Sequence, residues 1–150
     1  MKYSKATNYA LHTMIYLLLV PKGEAVGVNQ LAKMQKLSPT YLSKILGKLS
    51  KGGLIDSSPG VSGGYRIAKN PEEISFLDVI QLIEGQANLF HCSIHFDDNC
   101  LIENVMVDAE QHMADELANK FLIDVAKEMT AKSDSLPQNI ESQSKEEVPL

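Results

Sequence analysis

Residues Val28 to Tyr65 constrain the fold more than any other part of the chain. Two short amphipathic helical patterns meet at a tight turn near Leu37, and a glycine-rich hairpin follows. Ser38 followed by Pro39 is a helix start with a mechanism. The hydroxyl can accept an orphan backbone N–H, and proline in the first turn lacks only a donor that the helix does not use there. In the helix that follows, Leu42, Ile45, Leu46 and Leu49 recur at helical spacing and must face a core. Thr40, Ser43, Lys44, Gly47, Lys48 and Lys51 are left outside. Gly52 and Gly53 end the helix, and Leu54 to Ser58 and Tyr65 to Ala68 read as two strands around a Pro59 to Gly64 turn. Helix, turn, helix and hairpin in this order predict a winged helix-turn-helix.

Charge separates along the chain. Residues 1–70 hold ten Lys or Arg against two acids, Glu24 and Asp56, whereas residues 71–150 hold four against seventeen. The net charge of −5 thus hides a basic half and an acidic half, and the basic half coincides with the helix-turn-helix. An α-helix fits the major groove, where short polar side chains reach base edges and lysines neutralise phosphates. The spacing therefore points to double-stranded DNA as the partner. Ser38, Thr40, Tyr41, Ser43, Lys44 and Lys48 form the candidate reading surface. Lys5, Lys33, Lys36, Lys69 and Arg66 are candidate phosphate contacts. Arg66 is the one arginine in the chain, so the bidentate contact to guanine is scarcely available and specificity falls to Thr40, Ser43, Lys44 and DNA shape.

Elsewhere the patterns are simpler. A first helix is expected from Ser4 or Lys5 to Val20, with Ser4, Asn8 and His12 on one stripe. Ala25 to Val28 is a strand candidate, and Asn29 is expected to cap a second helix over 30–36 with Leu31, Ala32, Met34 and Gln35 at its inner edge. Ser75 and Asp78 form a capping box for a helix from Phe76 to Glu84, ended by Gly85. Leu101 to Met129 reads as one long amphipathic helix, with Ile102, Val105, Ala109, Met113, Leu117, Leu122, Val125 and Ala126 along a heptad-like stripe. So long a stripe exceeds what a small domain can cover, which predicts a homodimer. Ser133 to Leu150 is polar, interrupted by Pro137 and Pro149, and is expected to be a solvated tail.

A chain of 150 residues with 44% hydrophobic content can bury one substantial core. The fold class is mainly α with a small β-wing: a winged helix-turn-helix plus a long C-terminal dimerisation helix. Its expected parts are a DNA-binding domain over 1–85, a cysteine-containing sensor loop over 86–100, the dimerisation helix over 101–130 and the tail over 131–150. Asn8, His12 and Thr13 interrupt the apolar N-terminal run, so no membrane association is expected and the location is cytoplasmic. No oxyanion arrangement, phosphate loop or paired-carboxylate signature indicates an enzyme. Salt dependence would distinguish DNA binding from the alternative of a winged-helix protein-interaction module.

The segment from Leu37 to Ile55, the Gly63-Gly64-Tyr65 wing and the Ile74 to Gly85 helix resemble the Rrf2 family of bacterial winged-helix transcription regulators, over about residues 1–130. The resemblance implies a homodimeric repressor or activator reading a pseudo-palindromic operator, and repression is the expectation here. Many members carry three cysteines for an iron-sulfur cluster before the last helix. This chain has two, Cys92 and Cys100, which excludes that standard site. The family's wing arginine is replaced here by Pro59.

Two thiolates can supply half of a two-iron two-sulfur cluster, which needs four ligands. In some family members the partner's first helix completes the set, which makes His12 the candidate third ligand; Asn8 is a poor fourth. Cys92, His95 and Cys100, with His91 nearby, could instead hold zinc. Reversible thiol oxidation is a further route, opposed by the nearby acids Asp97 and Asp98. The alternative to redox or cluster sensing is a cofactor-free regulator that responds to a small molecule or a partner protein.

Overall fold

The computed structural model describes residues 2–94 and 100–134. Helix α1 spans Lys5–Leu19, α2 Val28–Gln35 and α3 Pro39–Lys51; strands β1 (Ile55–Ser58) and β2 (Gly64–Ile67) follow, then α4 (Phe76–Glu84), α5 (Leu101–Ala118) and α6 (Leu122–Asp134). The two strands form an antiparallel ribbon in which Ile55 faces Ile67 and Ser58 faces Gly64. This is the mainly α, winged architecture expected from the periodicities.

One core holds it together. Met14 of α1, Leu31 of α2, Leu42, Leu46 and Leu49 of α3, Ile55 of β1, Val79 of α4 and Leu122 of α6 are buried in a single cluster. Truncating a fully enclosed leucine in such a cluster typically costs about 2–5 kcal/mol, so Leu42 and Leu46 fix how α3 sits on the domain.

Three local starts form as their sequences dictate. Ser4 caps α1, Ser38 accepts from Tyr41 N at 3.2 Å with Pro39 at the first turn of α3, and Ser75 and Asp78 make a reciprocal capping box on α4. The second helix departs from expectation, since α2 begins at Val28 behind Gly27, without a side-chain cap from Asn29. Long-range pairing overrides the cap preference: Val26 and Tyr65 exchange backbone hydrogen bonds at 2.9 and 2.8 Å, which reduces the expected strand to one bridge and fixes where the helix can start. Met34, expected inside, is exposed, whereas Gln35 is half-buried and donates to Thr13 Oγ1 at 2.6 Å.

The expected single helix over 101–129 is two helices. α5 ends at Ala118, where Asn119 Nδ2 donates to the Asp115 carbonyl at 2.8 Å. Lys120 then accepts from Phe76 N at 2.8 Å, and Leu122 N donates to Ile74 at 3.1 Å. This antiparallel bridge to the segment before α4 takes the backbone out of the helix. It also divides the apolar stripe, because Leu122 and Ala126 are buried against the domain while α5 buries no residue at all. The helix carries on past the expected boundary at 130 to Asp134, and the rest of the expected tail lies outside the described residues.

Candidate nucleic-acid interface

The turn between α2 and α3 is closed by Lys36, which adopts a left-handed conformation (φ 56°), and by Leu37 N donating to the Ala32 carbonyl at 2.9 Å. Leucine 37 itself packs against the core, so α3 is held at a fixed angle to α2. The face of α3 opposite its buried leucines presents Thr40, Tyr41, Ser43, Lys44 and Lys48 to solvent. Among the described residues no salt bridge engages Lys44, Lys48 or Lys51, which leaves those charges available for an external anion.

The remaining expected contacts are more constrained. The Ser38 hydroxyl serves as the cap, and Ser43 Oγ donates to the Pro39 carbonyl at 2.8 Å, so its remaining lone pairs suit it to accept rather than donate. Tyr41 packs edge-on against Tyr9 of α1, with ring centroids 6.0 Å apart. Its orientation is thereby set by the first helix. Arg66 Nε donates to Asp56 at 2.8 Å and Lys69 pairs with Asp78 at 3.4 Å, so neither cation is as available as Lys44 or Lys48. Lys5 lies exposed at the start of α1.

The wing's shape depends on two glycines. A Cβ on Gly63 would overlap the Ser58 carbonyl oxygen, and one on Gly64 (φ 139°) would sit 2.6 Å from the Val26 carbonyl. Without side chains there, β2 can approach both β1 and the Val26 bridge.

A clamp invisible to the sequence reading joins the domain's ends. The Glu84 carboxylate, last in α4, accepts from Thr7 Oγ1 at 2.6 Å, Ser4 Oγ at 2.7 Å and Ser4 N at 2.6 Å. These bonds, the Thr7 and Ser4 hydroxyls first, hold Glu84 below its ordinary pKa, and the attraction of Lys48 adds to them. The one available signal was the pairing of Ser4 and Thr7 in the first turn of α1.

Behind this clamp the loop over 86–94 is tied to α5 by Glu110, which accepts from Leu89 N at 2.9 Å and Phe90 N at 2.7 Å. Both cysteines are thiols. Cys92 is half-buried, and Cys100 is buried where its Sγ caps α5, accepting from Glu103 N at 3.5 Å. His91 pairs with Glu103 at 3.2 Å, while His12 is exposed on α1 with Nδ1 on the Asn8 carbonyl at 2.9 Å. Among the described residues no three His, Cys, Asp or Glu side chains gather as a metal site. Within one chain His12 therefore does not join Cys92 and Cys100, and His95 of the expected zinc set lies outside the described residues.

Among the described residues no helix is long and apolar enough to cross a membrane. Residues 3–128 match the profile of a family described as Rrf2, iron-dependent transcriptional regulator. The chain is 35% identical over 105 residues to the HTH-type transcriptional regulator NsrR of Halalkalibacterium halodurans, covering 70% of this chain and 72% of that one. Two solved structures are similar: Staphylococcus aureus CymR in an oxidized form (29% identity, TM-score 0.69, 84% of this chain and 96% of that one) and T. potens IscR (26%, TM-score 0.72, 92% and 93%).

Proposed function

The chain belongs to the Rrf2 family of transcriptional regulators, a non-enzymatic family, and on that premise we propose that it is a homodimeric repressor reading a pseudo-palindromic operator through α3 and the wing. The observation that carries this reading is the outer face of α3, where Lys44 and Lys48 are exposed and, among the described residues, form no salt bridge, beside Thr40 and Ser43 on a helix locked to the core. In a dimer two such helices would enter successive major grooves, about one helical turn apart. Fluorescence-anisotropy titration of duplex DNA at several salt concentrations tests it. Binding should weaken steeply with salt, and Lys44→Ala and Lys48→Ala should each lower the slope by about 0.9. Titrations unchanged by both substitutions would refute the assignment of α3.

The same proposal assigns sensing to Cys92 and Cys100. A two-iron cluster needs four ligands, and the described donors of one chain do not converge on such a group, so no step is derived through it. Cys100 is the thiol whose state bears most directly on α5, since its sulfur closes the first turn of the helix that bears the exposed apolar stripe. Oxidising or alkylating that sulfur would remove the cap and alter α5, biasing the arrangement of the reading heads.

A further inference from the structure

A cavity of about 560 Å³ opens where the end of α1, the end of β2 and the start of α6 converge, and none of its lining comes from α3. That volume lies within the range of small-molecule sites. Part of the lining is apolar: Leu18 and Val20 at the end of α1, Ile67 of β2 and Ile123 of α6 come from three separate elements, and each is half-buried. Leu18, Val20 and Ile67 also pack against the core, which fixes the surface that they leave to the cavity. The charged part of the lining sits on backbone that is likewise held. Glu24 N donates to the Pro21 carbonyl at 3.1 Å across the turn that carries Lys22, and Ala68 N donates to the Leu54 carbonyl at 3.0 Å between Arg66 and Lys69.

Lys22, Arg66 and Lys69 line this cavity against one acid, Glu24. The carboxylates that engage two of these cations, Asp56 on Arg66 at 2.8 Å and Asp78 on Lys69 at 3.4 Å, are not part of the lining. Both pairs are solvent-accessible, so a new anion can take over either cation at little cost. Among the described residues Lys22 forms no salt bridge. An excess of positive charge beside a fixed apolar surface is complementary to an organic anion with a hydrocarbon body: an inorganic anion would leave the apolar surface wet, and a neutral hydrocarbon would gain nothing from the cations. We propose that the cavity is an effector site for a small aliphatic carboxylate, held by Lys22 with Arg66 or Lys69 and lying along Leu18, Val20, Ile67 and Ile123. Arg66 stands opposite Asp56 in the ribbon. A ligand that draws off the guanidinium leaves Asp56 as an uncompensated negative charge on the wing, which opposes a phosphate backbone. Binding therefore lowers affinity for DNA, and DNA lowers affinity for the ligand by the same factor. This last consequence rests on the DNA-binding reading above, whereas the site itself does not.

Octanoate is the probe, with 1-octanol as its uncharged counterpart. In calorimetric titration of the full chain, octanoate should bind with a dissociation constant of about 1 mM or lower, a strength suited to so small a ligand. It should bind about fivefold more tightly than octanol and shift the methyl resonances of Ile67 and Ile123. Lys22→Gln, on an exposed turn, should keep the wild-type melting temperature and weaken octanoate about threefold. Ile123→Trp should fill the cavity and abolish binding. A duplex recovered from a random pool by the wild type should bind about threefold or more weakly in saturating octanoate than in acetate at the same sodium concentration, which removes the general effect of salt. Absence of octanoate binding, equal binding of octanoate and octanol, binding that survives both substitutions, or duplex affinity that octanoate leaves unchanged would overturn the inference and leave the DNA-binding reading standing. A protein that takes octanoate as expected but binds no duplex would keep the site and refute the DNA-binding reading.

Discussion

Thr7 Oγ1 donates to the Glu84 carboxylate at 2.6 Å, joining the first turn of α1 to the last residue of α4 across 77 positions of sequence. Thr7 is buried, so its hydroxyl has no water to fall back on, and Ser4 adds two further bonds to the same oxygen. The clamp stands between three parts of the molecule. It orders the start of α1, it attracts Lys48 on α3, and it ends α4 just before the loop that leads to Cys92.

Glu84→Gln should therefore lower stability at neutral pH by about 1–2 kcal/mol, a modest figure for bonds to a charge because the carboxylate is exposed. The sign with pH follows from the direction of the shift. The folded pKa lies below the unfolded one, so the clamp's contribution is present above the ordinary carboxylate range and is lost as pH falls through the depressed folded value. Denaturant midpoints at pH about 7 and about 3.5 would show a smaller acid loss for Glu84→Gln than for the wild type. Equal losses would mean that the carboxylate does not carry the linkage.

Features that were legible in the sequence are those whose chemistry closes within a few residues. The caps at Ser38 and Ser75 bond groups three positions away, and the buried face of α3 follows from helical spacing alone. What was not legible depends on distant backbone. The start of α2 is set by Tyr65, the break after Ala118 by Ile74 and Phe76, and the role of Glu84 by Ser4 and Thr7. A reading of local preference favoured Asn29 as a cap and one unbroken final helix, and in both places tertiary hydrogen bonds outweighed it. The solvent-facing side of α3 was legible because charge and periodicity mark it. Whether Cys92 and Cys100 meet other donors depends on loop placement, which no spacing rule determines.

Gly64→Ala should destabilise the wing selectively. Its φ of 139° is strained for any residue with a Cβ, and that Cβ would press on the Val26 carbonyl. The expected cost is about 1–3 kcal/mol, with the Val26 and Tyr65 amides losing hydrogen-exchange protection while α4 and α6 amides retain theirs relative to the global stability. Full protection at Val26 and Tyr65 would show that the bridge tolerates a side chain.

Among the described residues, none covers the apolar stripe at the start of α5. Leu101, Ile102 and Val105 are 76%, 66% and 69% exposed, and no residue of α5 is buried. A helix with such a stripe is stable in water when another apolar surface covers it, and Leu122 and Ala126 show that α6 spends its own apolar residues on the domain instead. A second copy of α5, packed across a two-fold axis, presents a matching stripe at no cost in new sequence. Val105→Glu would place like charges opposite each other in that seam, beside a helix already rich in acids. Sedimentation should then report a monomer where the wild type gives a dimer, with the melting of the winged domain little changed because Val105 makes no part of its core. Affinity for a two-half-site duplex should fall far more than affinity for a single half-site, since the second contact is no longer tethered to the first. A Val105→Glu protein that still sediments as a dimer would locate the interface elsewhere.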